Sequence, residues 1–116
     1  MTHAMPSLST HVLDTAHGRP AAGLRITLSD GTGTVLAERR TNADGRLDGP
    51  ILPAGSGCGI YELRFFVAEY FRAQGVVLPE PAFLDEVPIR FGMAEALHYH
   101  VPLLVSPFGY STYRGS

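Results

Sequence analysis

The chain has 116 residues, which suffices for one domain but not for two. Hydrophobic residues make up 45% of it, so a core can form, whereas 13 glycines and 9 prolines argue against a helical bundle. Only 17% of the residues are charged and the net charge is −2, which excludes charge-driven binding to nucleic acid; the nine basic residues are all arginines, which excludes Schiff-base chemistry on lysine.

Several features bear on where the protein works. No segment approaches the roughly 18 consecutive apolar residues of a membrane span. Residues 1–15 lack the basic start and apolar core of an export signal, and the chain does not end in a Ser-Lys-Leu address. The lone Cys58 cannot form an internal disulfide and fits a reducing compartment. We therefore expect a cytoplasmic protein without membrane partners, forming one domain over residues 1–116 with 1–6 as a loose extension.

Alternation of apolar and polar residues predicts strands in the first half of the chain. In residues 7–14, Leu8 and Val12 share one face, while Ser9 and His11 share the other. Further segments with this pattern are 23–29 and 34–41, joined by a hairpin turn at 30–33 and followed by a second turn at 42–45. The second turn places Arg46 immediately after a chain reversal.

The second half adds more short strands and a single helix. Residues 60–67 are rich in aromatic and β-branched residues and predict a strand, and 68–74 are good helix formers that stop at Gly75. Helical propensity returns at 93–97, 98–105 predicts a strand that Pro102 interrupts or places at an edge, and 110–116 predicts a last extended segment. Seven or eight short strands with one brief helix indicate an all-β sandwich.

Three histidines on predicted strands are the first candidates for chemistry. His98 and His100 are two residues apart and project from one face of a strand, and His11 occupies the middle of the first strand. Neutral imidazole is a good zinc ligand, and its pKa near neutrality suits acid–base catalysis. The pattern leaves three interpretations open: a metal site, acid–base or binding work, or histidines that are merely solvated or hydrogen-bonded.

Two arginines are candidates for ligand binding. A planar guanidinium at Arg46 or Arg114 could hold an anionic or carbonyl-rich ligand, although an arginine after a turn is often only a solvated charge. Cys58 has no histidine or basic neighbour in the sequence, which argues against a nucleophilic role. Taken alone, these patterns predict a sandwich with polar residues on its strands, but no reaction.

Three stretches carry a resemblance to a known family. They are LSTHVLDTAHGRPA at 8–21, TNADGRL at 41–47 and HYHVPLLVSPFGYSTYRGS at 98–116. In them the sequence resembles the transthyretin-related proteins, and among these the 5-hydroxyisourate hydrolases of urate breakdown, whose terminal Tyr-Arg-Gly-Ser separates them from the hormone-carrying transthyretins. The resemblance runs from about residue 8 to 116. It implies a transthyretin-like sandwich of about eight strands with one short helix.

The resemblance also implies an activity and a site. The expected reaction opens a lactam ring of 5-hydroxyisourate with water and yields 2-oxo-4-hydroxy-4-carboxy-5-ureidoimidazoline, without a metal or other cofactor. The implied assembly is a homotetramer, a dimer of dimers with active sites at the dimer–dimer interface. The implied catalytic residues are His11, Arg46, His98, His100 and Ser116, and the implied substrate-binding residues are His11, Arg46, Tyr113, Arg114 and Gly115.

Two other classes of function stay open beside the hydrolase. The first is a transthyretin-like carrier of a small ligand, whose channel should be lined mainly by apolar side chains rather than by histidines and arginine. The second is a zinc-binding or purely structural sandwich that uses His11, His98 and His100. Turnover of 5-hydroxyisourate distinguishes the hydrolase from the carrier, and metal analysis distinguishes it from the zinc protein.

Overall fold

The computed structural model describes residues 5–116, which contain ten strands and one helix. Of the predicted N-terminal extension, only Met5 and Pro6 lie within the described residues, and neither belongs to a strand. The elements are β1 (Ser7–Ser9), β2 (Val12–Asp14), β3 (Arg19–Pro20), β4 (Arg25–Asp30), β5 (Val35–Arg40), β6 (Gly59–Phe65), α1 (Val67–Ala73), β7 (Val87–Met93), β8 (His98–His100), β9 (Leu103–Ser106) and β10 (Gly109–Thr112).

Two four-stranded sheets enclose one core. One sheet has the strand order β10-β9-β2-β3, and the other has the order β5-β4-β6-β7. A separate parallel pair, β1 with β8, extends the first sheet's strands beyond a break. Buried side chains of both sheets belong to one hydrophobic cluster, so the predicted all-β sandwich with one short helix is confirmed.

The predicted alternation is confirmed where strands face the core. Leu24, Ile26 and Leu28 are fully buried, and across β6 the side chains of Leu63 and Phe65 are fully buried as well. Since successive side chains of a strand point to opposite faces, this period of two is what the sequence pattern requires. Burial of these side chains is the main source of the sandwich's stability.

Two segments predicted as single strands are each divided in two. Residues 7–14 form β1 and β2, and residues 98–105 form β8 and β9 with a break at Val101 and Pro102. Proline has no backbone N–H to give to a ladder, so pairing is interrupted there. Hydrogen bonds bridge the break, because the backbone N–H of Val101 donates to the carbonyl of Ser9 at 3.0 Å and Thr10 Oγ1 donates to the carbonyl of Val101 at 2.6 Å. This division, together with the two-residue strand β3 that was not predicted, explains ten strands instead of seven or eight.

One helix prediction is confirmed and one is wrong. The predicted helix at 68–74 is α1, shifted by one residue, and it buries Val67, Tyr70 and Phe71 at helical spacing. Residues 93–97 form no helix: Met93 is buried at the end of β7 opposite Gly59, and the few residues after it are too few to nucleate a helix without a packed face. In residues 5–116, no helix has the length and apolar character to cross a membrane.

Candidate active site

The three predicted histidines lie together in a continuous chain of hydrogen-bonding groups. His11 Nδ1 is 2.7 Å from His100 Nε2, and the two rings are stacked with centroids 4.8 Å apart. Ser9 Oγ lies 2.7 Å from His100 Nδ1 and 2.8 Å from His98 Nε2. Ser7 Oγ lies 2.6 Å from His98 Nδ1. We call the five residues Ser7, His98, Ser9, His100 and His11 the histidine chain.

The register of two strands creates this arrangement. β1 and β8 run parallel, with Ser7 opposite His98 and Ser9 opposite His100. Because the side-chain period is two, these four residues project from the same face of the pair. Leu8 and Tyr99 alternate with them and are buried on the other face. The same period carries on to His11, which meets His100 just beyond the end of β1.

Arg46 reaches this face through the second predicted turn. Gly45 has a φ of +71°, and a Cβ there would lie 2.5 Å from the carbonyl oxygen of Val12, so glycine alone lets the turn approach β2 so closely. The carbonyl of Gly45 accepts a hydrogen bond from the N–H of Val12 at 2.9 Å, and Asn42 Oδ1 accepts one from the N–H of Arg46 at 3.1 Å. As a result, the backbone of Arg46 pairs with that of His11 as an antiparallel bridge.

Burial and positive charge both lower the pKa of the two central imidazoles. Desolvation is the larger cause for His11, and the charge of Arg46 adds to it. Desolvation again leads for His100, followed by the charges of His11, Arg46 and His98. An imidazole with a lowered pKa is neutral at neutral pH, so it keeps a lone pair that can accept a proton. The site can therefore remove a proton from water and offers a fixed positive charge beside it.

The C-terminal segment contacts the site at one residue. The N–H of Gly115 donates to the carbonyl of His100 at 2.7 Å. A Cβ on Gly115 would lie 2.6 Å from Cδ2 of His100, whose ring is already held by Ser9 and His11. A larger residue would therefore displace either the segment or the imidazole. Ser116 follows at the exposed end, and in the described part of the chain its side chain makes no hydrogen bond.

Tyr113 and Arg114 lie on a different side of β8 from the histidines. The guanidinium carbon of Arg114 lies 4.4 Å from the centroid of the Tyr99 ring, on the face opposite to His98 and His100. Both residues line an open cavity of about 380 Å³ beside β7. Within one chain, the structure thus brings His11, Arg46, His98, His100 and Gly115 together, but not Tyr113 and Arg114.

Ser7 and Ser9 were not predicted as site residues. The available signal was that Ser9 shares a face with His11, because residues at i−2 and i−4 from a histidine on a strand lie on the same face. Nothing in the sequence shows that β8 pairs with β1, so the contact of these serines with His98 and His100 could not be read from the pattern.

The arrangement of the histidines suits hydrogen bonding more than metal binding. Two imidazole nitrogens bound to one zinc ion are separated by about 3.3 Å, because each lies about 2.05 Å from a tetrahedral centre. His11 Nδ1 and His100 Nε2 are closer than that, at 2.7 Å, which is a hydrogen-bond distance. Among residues 5–116 there is no group of three or more His, Cys, Asp or Glu side chains that could hold a metal ion.

Known proteins are similar to this chain in both sequence and structure. A model of the HIUase/Transthyretin family matches residues 8–115. The 5-hydroxyisourate hydrolase of Mesorhizobium japonicum is 64% identical over 113 residues, with 94% of this chain and 91% of that protein covered. The structure of Klebsiella pneumoniae 5-hydroxyisourate hydrolase is similar with a TM-score of 0.84 and 38% identity, covering 97% of this chain and 100% of that one.

A longer protein of solved structure also contains this fold. A crystal structure of (S)-allantoin synthase is similar with a TM-score of 0.89 and 46% identity. The match covers 97% of this chain but only 44% of the synthase, so this chain spans less than half of that protein's length.

Proposed function

This chain belongs to the HIUase/transthyretin family, and we propose that the histidine chain and Arg46 form the site at which it hydrolyses 5-hydroxyisourate. The reaction is a step in urate degradation toward allantoin. The observation that carries the assignment of the site is the His11–His100 pair, whose facing nitrogens lie 2.7 Å apart. Burial, followed by neighbouring positive charge, lowers the pKa of both rings. Such a pair is equipped for proton transfer at neutral pH.

His11 is the general base in the proposed reaction. Its Nδ1 faces His100, and within residues 5–116 no hydrogen bond engages its other ring nitrogen, Nε2. Nε2 takes a proton from water, and the resulting hydroxide adds to the lactam carbonyl of the substrate. The carbon–nitrogen bond of the ring then breaks, and the departing nitrogen takes the proton back from His11 Nε2. His100 holds His11 in orientation through the hydrogen bond at His11 Nδ1, and His98 supports both.

Arg46 stabilises the oxyanion in this scheme. Addition of hydroxide places a negative charge on the former carbonyl oxygen, and a guanidinium offers fixed N–H donors and a permanent positive charge to it. The turn fixes the backbone of Arg46 beside His11, because the N–H of Arg46 donates to Asn42 Oδ1 and the preceding Gly45 is tied to Val12. A preorganised donor costs no rearrangement when the charge develops.

The C-terminal residues complete the proposed site. We assign Gly115 the task of holding the last residues against His100, and Ser116 a catalytic contact at the open end. Tyr113 and Arg114 bind the flat substrate ring in this proposal. Since they lie on the other side of β8 in one chain, their task is best met if a neighbouring copy supplies them.

A homotetramer, a dimer of dimers with the sites at the dimer–dimer interface, would bring such copies together. Two features support it. β7 and β10 are edge strands of their sheets, and all four residues of β10 are exposed, so their unpaired backbone groups are available to another chain. Phe108 and Tyr110 are exposed next to this edge. Light scattering on the purified protein should give the mass of four chains, and a monomer at assay concentration would contradict the assembly.

We also propose that the protein works in the cytoplasm. Cys58 is a free, exposed thiol, and such thiols persist where the compartment is reducing. Fractionation of the source cells, with detection of the protein by antibody, tests this location.

The direct test of function follows the substrate in ultraviolet light. Urate oxidase generates 5-hydroxyisourate in the cuvette, and addition of this protein should make its absorbance decay faster than in buffer or with heat-unfolded protein. Addition of a chelator should leave the acceleration unchanged. A folded protein that binds 5-hydroxyisourate without accelerating its decay would instead support the carrier function.

Replacement of Arg46 should change the pH profile of kcat/KM. Its charge lowers the pKa of His11 and His100, so replacement by methionine should raise both pKa values and move the acid limb of kcat/KM to higher pH. Loss of the oxyanion donor should also lower the maximal rate by about 10²- to 10³-fold. Arg39→Met, which removes an exposed arginine on β5, should leave the acid limb in place. An unmoved acid limb in Arg46→Met would show that this charge does not act on the imidazoles.

A further inference from the structure

We propose that Ser9 is a positioning residue that joins His98 to the His100–His11 pair, so that a proton taken up at His11 is passed along the histidine chain to the exposed end at His98. This inference rests on the proposed function, because it concerns the proton that the hydrolysis removes from water. Its structural basis is the single hydroxyl of Ser9, which lies within hydrogen-bond distance of both imidazoles.

The hydroxyl of Ser9 can donate one hydrogen bond and accept another at the same time. A serine hydroxyl has one proton to donate and lone pairs to accept with. Ser9 Oγ lies 2.8 Å from His98 Nε2 and 2.7 Å from His100 Nδ1, so when it donates to one ring it accepts from the other. The tautomer of His100 therefore determines the tautomer of His98, although no hydrogen bond joins the two rings directly.

The whole chain has two consistent directions of donation. In the first, His11 Nδ1–H donates to His100, His100 Nδ1–H donates to Ser9, Ser9 O–H donates to His98, and His98 Nδ1–H donates to Ser7. His11 Nε2 then carries a lone pair and acts as a base. In the second direction every donor is reversed, and His11 Nε2 carries a proton and acts as an acid.

One turnover of the proposed reaction uses both directions. Water loses a proton to His11 Nε2, and each member of the chain passes one proton to the next. His98 Nδ1 finally releases one to solvent, either directly or through Ser7, whose hydroxyl then gives its own proton to solvent. Every imidazole is neutral before and after this shift, so no charge remains buried beside Arg46. The reverse shift returns one proton to the departing nitrogen of the substrate, so the protein has gained and lost one proton in each turnover.

The accessibility of the residues to water agrees with release of the proton at His98. His98 is exposed, whereas Ser9, His11 and His100 are only partly accessible to water. The desolvation that lowers the pKa of His11 and His100 makes a lasting charge on either of them costly. An exposed imidazole at the end of the chain exchanges its proton with water without that cost.

The side chain of Ser9 is not needed to hold its strand. Its carbonyl accepts the N–H of Val101, and the pairing of β1 with β8 is made by backbone groups. Removal of the hydroxyl should therefore leave the fold intact, which allows the test to separate the relay from a merely structural role.

The test compares Ser9→Ala with Ser9→Thr and combines each with His98→Asn. We expect Ser9→Ala to lower kcat by about 10- to 100-fold with little change in KM, and Ser9→Thr to restore most of the rate, because it keeps the hydroxyl. Once Ser9→Ala has cut the chain, His98→Asn should cost nothing further, whereas in the Ser9→Thr background it should lower kcat as it does in the wild type.

Two outcomes would overturn the proposal while leaving the proposed function in place. They are a wild-type kcat for Ser9→Ala, or full additivity of Ser9→Ala with His98→Asn. A second readout does not depend on turnover: nitrogen NMR shifts of His100 should report a changed tautomer in Ser9→Ala and in His98→Asn. If the wild type itself failed to hydrolyse 5-hydroxyisourate, the proposed function would fail, and coupled tautomers in the NMR spectra would still test the chain.

Discussion

Replacement of His100 by alanine should lower kcat by about 10²- to 10⁴-fold, the usual contribution of a positioned acid–base group. His100 holds His11 at 2.7 Å, stacks on its ring and receives Ser9 on its other nitrogen. Alanine removes all three contacts, and His11 loses both its orientation and its hydrogen-bond partner at Nδ1. The loss should appear in kcat more than in KM, because these contacts act on the transition state.

The histidine pair should also behave as a unit. His11→Ala alone should cost about as much as His100→Ala, and the double variant should cost little more than either, because each single change already disables the pair. His17→Gln is the matched control, since His17 lies outside the histidine chain and contacts Asp14. The measurement is the decay of enzymatically generated 5-hydroxyisourate, with circular dichroism to verify folding. Strict additivity, or a His100→Ala protein at full rate, would contradict the assigned roles.

The largest loss of stability is expected from Asp14→Ala. Asp14 is fully buried, and its carboxylate accepts hydrogen bonds from the backbone N–H of His17 at 3.0 Å and from the hydroxyl of Tyr70 at 2.8 Å. Its Oδ2 also lies 2.6 Å from His17 Nδ1. Alanine leaves the buried Tyr70 hydroxyl without this acceptor and removes the hydrogen bond that links α1 to β2. The free energy of unfolding should fall by about 3 to 5 kcal/mol, as for other broken buried pairs.

Tyr70→Phe is a milder variant for comparison with Asp14→Ala, because it removes only one hydrogen bond to the carboxylate. It removes one of the contacts and should cost about 1.5 to 3 kcal/mol, the range for a hydrogen bond to a charged group. Burial, followed by the hydrogen bond to Asp14, raises the pKa of Tyr70 to about 12, so this hydroxyl remains a donor at any pH of interest. Urea unfolding of both variants tests the order. A smaller loss for Asp14→Ala than for Tyr70→Phe would contradict a central role of the carboxylate.

Asp14 also predicts how stability changes in acid. Burial acts to raise the pKa of this carboxyl, but the hydrogen bonds from His17 and Tyr70 together outweigh it and hold the pKa below the ordinary value of 3.8. A carboxyl with a lowered folded-state pKa stabilises the fold above its unfolded pKa and loses that contribution as pH falls through the folded value. The wild type should therefore lose stability below about pH 4, and Asp14→Ala should lack this part of the decline.

How much could be predicted from sequence depends on whether the cause is local. Alternation of side chains along one strand is a property of a few neighbouring residues, which is why the buried positions Leu24, Ile26 and Leu28 were predicted correctly. The helix ending before Gly75 was predicted for the same reason. The prediction of a helix at 93–97 failed because local propensity gave way to the burial of Met93 in the core.

The arrangement of the site residues depends partly on local sequence and partly on strand pairing between distant segments. Sequence alone determined that His98 and His100 share a face and, through the resemblance carried by three stretches, the family and its reaction. Only the tertiary structure decided that Ser9 joins these two imidazoles, that His100 meets His11 across 89 positions of the chain, and that Tyr113 and Arg114 lie beside Tyr99 instead. The physical reason is strand pairing: the period of a strand is local, but its partner and register are set by the packing of the whole sandwich.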